Sequence, residues 1–129
     1  MKEILQQLKN NRLSITEVDK SLFENYDFML EAVKIDGYNL MSASYDLKDN
    51  FNIVMEAVKQ NGLALKYASY SLTYNIKIVL EAIKADGVAI KYASNTIIYQ
   101  VIFDLGYDKM IKFLEKKVEN SSKVEKSSK

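Results

Sequence analysis

The sequence contains no cysteine, no histidine, no proline and no tryptophan, and only four glycines. Without cysteine there is no disulfide framework, thiol nucleophile or thiol redox chemistry, and cysteine pairing gives no clue to the compartment. Without histidine, imidazole acid–base catalysis is excluded, as is every His- or Cys-ligated zinc or copper site. The two absences together remove most enzyme classes and imply no cofactor. An excess of charge is lacking too: 18 Lys and Arg stand against 17 Asp and Glu, a net charge of +1. That leaves no global electrostatic case for nucleic acid, an anionic membrane or a polyanionic substrate. No segment approaches the roughly 18 consecutive apolar residues of a membrane helix. The stretch from Met1 to Lys9 is amphipathic and has no apolar run of signal-peptide length. The resulting expectation is a cytoplasmic protein with no membrane partner, a reading that also accommodates an effector delivered without a cleaved signal peptide.

What is present is ordinary for a folded chain, with 48% hydrophobic and 27% charged residues over 129 positions. That is enough for one domain with a core of its own. The pattern within it is not ordinary. Glu31-Ala32-Val33-Lys34-Ile35-Asp36-Gly37 returns as Glu56-Ala57-Val58-Lys59-Gln60-Asn61-Gly62 and again as Glu81-Ala82-Ile83-Lys84-Ala85-Asp86-Gly87, a spacing of 25 residues. A second block follows each glycine: Leu40, Ala43-Ser44 and Leu47, then Leu65, Ala68-Ser69 and Leu72, then Ile90, Ala93-Ser94 and Ile97.

Each copy reads as two helices. Phe51, Val54, Met55 and Val58 fall at i, i+3, i+4 and i+7, one helical stripe with Asn50 or Asp49 as N-cap. The glycine is expected to end this helix in the left-handed conformation, and Lys59 in the last turn suits the dipole. Leu65, Ala68 and Leu72 then mark a shorter second helix, whose small Ala and Ser positions admit a close neighbour. Leu5, Leu8, Lys9, Leu13, Ile15 and Val18 form a degenerate first copy without the glycine, in which Ser14 and Glu17 make a capping box. Met110, Ile111, Phe113, Leu114 and Val118 mark a last amphipathic helix. The expected fold is all-α, a short α-solenoid of four to five helix pairs with divergent terminal caps. Its units are 1–24, 25–49, 50–74 and 75–99, with a cap at 100–119, all in one domain spanning 1–119; residues 120–129 form a disordered Lys/Ser-rich tail.

The run Ile53 to Ser69, repeated as Ile78 to Ser94, resembles the short repeats of the bacterial family named domain of unknown function 4116. The shared features are Glu-Ala-Val-Lys, a glycine turn and Leu-x-Tyr-Ala-Ser, and the resemblance extends from about Asp27 to Ile97. It implies no activity and no catalytic residues. It implies instead an accessory or recognition region, as in the secreted effectors among the bacterial proteins that carry it. The copy at 25–49 departs from the pattern, with Met41-Ser42 in place of Lys-Tyr.

Three sets of residues could carry function. Glu31, Glu56 and Glu81 share a column and could form a row of carboxylates, but each has a lysine three residues on, which makes an ordinary helical ion pair the simpler reading. Tyrosine is abundant, nine against five Phe. Tyr67, Tyr70 and Tyr74 sit at i, i+3 and i+7, and Tyr92 and Tyr99 take the places of Tyr67 and Tyr74 one repeat later. Rings with polar tips suit a protein interface or, more blandly, fill grooves between helices. Lys66-Tyr67 and Lys91-Tyr92 pair a cation with a ring, as single-strand nucleic-acid grooves do, and residues 109–129 carry a net charge of +4. The leading expectation is a non-catalytic module that binds an unidentified protein, as an inhibitor, an immunity factor or a recognition domain, with self-association a further possibility. The alternative is a nucleic-acid binder that uses Lys66, Lys91, the adjacent tyrosines and the basic tail.

Overall fold

The computed structural model describes residues 1–106 and, singly, Lys112, and its regular structure is helical throughout, with no strand among the described residues. The last amphipathic helix read from Met110 to Val118 and the tail at 120–129 lie outside the described residues. The α-helices are α1 (Lys2–Lys9), α2 (Tyr26–Ile35), α3 (Tyr45–Lys48), α4 (Phe51–Gln60), α5 (Ile76–Ala85) and α6 (Asn95–Leu105). Between them run 3₁₀ segments: η1 (Ile15–Glu17), η2 (Lys20–Glu24), η3 (Gly37–Ser42), η4 (Gly62–Tyr67), η5 (Tyr70–Tyr74) and η6 (Gly87–Tyr92). No helix among the described residues is long and apolar enough to cross a membrane.

The long helix of each of the three regular copies starts at an asparagine, whereas α1 starts at Met1 without a side-chain cap. The side chains of Asn25, Asn50 and Asn75 accept the backbone N–H of Phe28, Ile53 and Ile78 at 2.9, 3.1 and 3.2 Å, satisfying donors that the first turn leaves open. The buried stripe of α4 is Ile53, Val54, Ala57 and Val58, while Phe51 is exposed and Met55 half-buried. The face is therefore rotated from the one read off the sequence, because Ala57 has to meet the preceding unit. The equivalent stripes are Phe28, Met29, Ala32 and Val33 in α2 and Ile78, Val79, Ala82 and Ile83 in α5. Each large apolar side chain so buried contributes about 1.5–3 kcal/mol. α2, α4 and α5 pack side by side in chain order, η3, η4 and η6 do the same beside them, and α1 and η2 pack on α2.

Two expectations are corrected here. First, Gly37, Gly62 and Gly87 are not left-handed; among the described glycines only Gly106 has a positive φ, 77°. The helices end one residue earlier. Asp36, Asn61 and Asp86 leave the helix with φ near −150° and turn their side chains onto the N–H of Tyr38, Leu63 and Val88, so one residue closes the α-helix and caps the 3₁₀ segment. The glycine serves close approach. A Cβ on Gly37 would lie 2.4 Å from the Ala57 carbonyl oxygen, and one on Gly62 would lie 2.2 Å from that of Ala82. The alanine of Glu-Ala-Val-Lys and the glycine of the preceding copy are thus two halves of one joint.

Second, the expected second helix is broken in two, its later part being α3 or η5 in the copies at 25–49 and 50–74 and the eleven-residue α6 after 94. Ala43, Ala68 and Ala93 are extended, and Ser44, Ser69 and Ser94 restart the chain, their Oγ atoms accepting from Leu47, Leu72 and Ile97. Six residues confined between two extended breaks wind as a 3₁₀ helix, which is used in such short pieces. The serines have a further task, donating their backbone N–H to the carbonyls of Phe23, Lys48 and Thr73 in the preceding copy at 3.0, 2.9 and 3.1 Å. In the first copy the Ser14–Glu17 capping box is present and opens η1.

Candidate functional site

The seven singled-out residues divide into two groups carried on different lines of segments. Tyr67, Tyr92, Lys66 and Lys91 belong to η4 and η6, and Tyr70, Tyr74 and Tyr99 to η5 and α6.

In the first group the rings of Tyr67 and Tyr92 are half-buried against the core. The Lys66 ammonium stands 4.9 Å from the centroid of the Tyr67 ring, and that of Lys91 stands 5.1 Å from the Tyr92 ring. Tyr38, which sequence reasoning passed over, joins them. Its ring meets Tyr67 edge to face at 6.1 Å, and Lys66 lies 5.7 Å from it. The copy at 25–49 lacks the column tyrosine, carrying Ser42, and Tyr38, four residues earlier, extends the row from a different position. No periodicity could have signalled this. The neighbouring phenols hold Lys66 above the ordinary lysine value, chiefly through hydrogen bonding and charge at Tyr67, with smaller contributions from Tyr92 and Tyr38.

The second group is far more open. Tyr70 is 76% exposed and Tyr99 73%, joined by Tyr45 at 88% and Phe103 at 85%. Tyr70 and Tyr74 cross edge to face at 5.1 Å, and their hydroxyls share a 2.6 Å hydrogen bond, which holds the Tyr74 phenol above its usual value. Tyr45 lies one repeat before Tyr70, so its place was legible in the column. Phe103 has no counterpart in the earlier copies. At the base of this line Asp49 accepts hydrogen bonds from the hydroxyls of Ser69 and Ser71, and these hold its carboxyl below the ordinary aspartate value. The structure therefore brings Lys66, Tyr67, Lys91 and Tyr92 together and Tyr70 with Tyr74. It does not merge the two sets into one ladder.

Glu31 and Glu81 form the i, i+3 ion pairs that their spacing implied, with Lys34 at 3.3 Å and Lys84 at 3.4 Å, whereas Glu56 and Lys59 do not pair. The basic run at 109–129, apart from Lys112, lies outside the described residues.

A family model described as "Domain of unknown function (DUF4116)" matches the chain twice in overlapping register, over residues 25–73 and 50–98. The 25-residue shift between the two matches is the repeat itself. No curated protein and no solved structure matches significantly.

Proposed function

The chain belongs to the DUF4116 family, and on that premise we propose that it is a short α-solenoid acting as a protein-interaction module with no chemistry of its own, working in the cytoplasm. Successive copies bury their apolar stripes against one another, and such stacks offer broad exposed faces in place of enclosed pockets. One observation carries the reading: Tyr45, Tyr70, Tyr99 and Phe103, along α3, η5 and α6, are each more than seven-tenths exposed. An accumulation of large open rings marks a surface that gains by being covered, and tyrosine does this while its hydroxyl still tolerates water. The nucleic-acid alternative draws on Lys66, Lys91 and their tyrosines, yet base stacking needs open ring faces. There the ammonium groups lie over rings already half-buried against the core.

The test is capture of partners from lysate of the native host with the purified chain, with and without nuclease. A nuclease-resistant partner lost from a Tyr45→Ser, Tyr70→Ser, Tyr99→Ser variant of unchanged far-UV circular dichroism supports the reading. Capture that survives these changes, or that nuclease abolishes, refutes it.

A further inference from the structure

The junction between the copies at 1–24 and 25–49 lacks the joint that the later copies share. The column of Gly37 and Gly62 holds Arg12 in the copy at 1–24, and its long side chain leaves no seat for the Ala32 carbonyl. Asn39 covers that carbonyl instead, its Nδ2 donating at 2.9 Å, where the later copies carry Ala64 and Ala89. A cleft of about 760 Å³ lies between the two copies at this place, with Arg12 contributed by one and Asn39 by the other. Clefts of that size hold small organic ligands.

The polar groups of the walls select the ligand. Asn39 is 8% exposed and is the one buried polar side chain among the described residues. Its Oδ1 accepts from no described residue, and since no buried side-chain oxygen or nitrogen among those residues is left without a partner, this oxygen is open to the cleft that Asn39 lines. The neighbouring acceptors are engaged: Glu17 takes the Ser14 N–H, Asp36 that of Tyr38 and Gln60 that of Gly37. Arg12, the only arginine of the chain, makes no ion pair among the described residues, and its planar fork matches a carboxylate. The charges along the cleft, Lys9 and Arg12 against Glu17 and Asp36, sum to zero. A polyanion or polycation therefore gains nothing there, and a ligand carrying one charge of each sign does. Leu13, Ile15 and Ile35 add aliphatic surface. We propose that the cleft binds a small zwitterion with an aliphatic side chain, a free α-amino acid or a dipeptide. Its carboxylate meets Arg12, its ammonium donates to Asn39 Oδ1, and its side chain lies against Leu13 and Ile35. This goes beyond the interaction-module reading and uses none of the exposed ring line.

The experiment titrates the whole chain, labelled with nitrogen-15, with L-leucine, L-leucyl-L-leucine, N-acetyl-L-leucine and L-leucinamide, followed by amide correlation spectra. At least one of the two zwitterions is expected to shift the Arg12 and Ser14 amides and the Asn39 side-chain amide saturably; the tighter of the two tells free amino acid from peptide. N-acetyl-L-leucine, which lacks the ammonium, and L-leucinamide, which lacks the carboxylate, should each bind about tenfold more weakly, as for one lost charge-assisted hydrogen bond. Arg12→Gln, at an exposed position, should weaken the zwitterion by about tenfold as well. Asn39→Ala carries the residue of the later copies and should weaken it similarly in a chain that still folds. Tyr70→Ser with Tyr99→Ser should leave binding unchanged, so that failure here and failure of the exposed ring line are told apart. Absence of a saturable shift with either zwitterion up to about 10 mM, equal binding of the two derivatives, or full binding by Arg12→Gln and Asn39→Ala overturns the proposal.

Discussion

Replacing Gly62 by alanine adds one methyl group, and opposing arguments predict opposite signs for its effect. Gly62 has no positive φ, so alanine adopts its backbone without strain, and lower entropy of the unfolded chain would then stabilise the protein by about 0.4–1 kcal/mol. Against this stands the joint. The new Cβ would meet the Ala82 carbonyl oxygen at 2.2 Å and the Asp86 nitrogen at 2.9 Å, both backbone atoms at the end of α5. Ordinary contact begins near 3.4 Å, so the copies would have to separate by more than an ångström at that point. The Ala82 oxygen also accepts the Asp86 N–H that closes the helix, and so it cannot yield freely. Overpacking of this kind costs about 1–3 kcal/mol, occasionally more, and it exceeds the entropic gain. At about 4 °C per kcal/mol for a chain of this size, Gly62→Ala should lower the thermal midpoint by roughly 4–12 °C, measured by circular dichroism at 222 nm and checked by urea titration. Gly106→Ala serves as the contrast: its φ of 77° penalises a side chain, but no atom lies within 4 Å of the added Cβ. Its cost should be about 1–3 kcal/mol, from backbone strain alone and without a clash. A Gly62→Ala protein as stable as the parent, or more stable, would refute the joint.

Ser69→Ala removes the cap of η5 and a donor to Asp49; the cap alone is worth about 1 kcal/mol, and urea denaturation reads the loss. Because the carboxyl of Asp49 is held below its ordinary value, its contribution is present above that value and fades as pH falls through the lowered one. Asp49→Asn should therefore flatten the acid limb of a stability–pH profile and leave the profile above neutrality parallel to the parent. The Tyr74 phenol is raised by the Tyr70 hydroxyl, so Tyr70→Phe should shift one tyrosine to a lower midpoint in a titration followed at the phenolate absorbance. Asn39→Ala removes a buried amide whose Nδ2 donates to the Ala32 carbonyl at 2.9 Å. Since that carbonyl also accepts from Asp36, and the two later copies carry Ala64 and Ala89 in this column, the cost should stay near 1 kcal/mol in the same denaturation assay.

The repeat period, the long helices and their asparagine caps were legible in the sequence because they rest on local rules: apolar residues at helical spacing, a short polar side chain before the first turn, no proline. The roles of Gly62 and Ser69 were not. A glycine after a helix has two common uses, left-handed closure and close approach, and only the position of the Ala82 carbonyl decides between them. A serine after alanine likewise reads as a small residue until its N–H is seen to reach Lys48 in the copy before. The rotation of the α4 stripe has the same origin, since the column pattern shows which residues recur without showing which face meets a neighbour. Of the candidate site, Lys66, Tyr67, Lys91 and Tyr92 could be grouped from their columns, and Tyr45 could have been added by the same rule. Tyr38 enters from another column and was reachable only through geometry.

The glycine–alanine joint is directional, and this bears on assembly. One copy supplies the seat and the next supplies the carbonyl, so contacts through this joint run head to tail, the kind of contact that between molecules gives a ring or an open filament according to its rotation. The internal helices α2, α4 and α5 carry Ala32, Ala57 and Ala82 in the column that enters the seat. In α1 the same column holds Gln7, whose side chain is exposed. The least regular copy thus lacks the small residue on which the joint between the later copies depends.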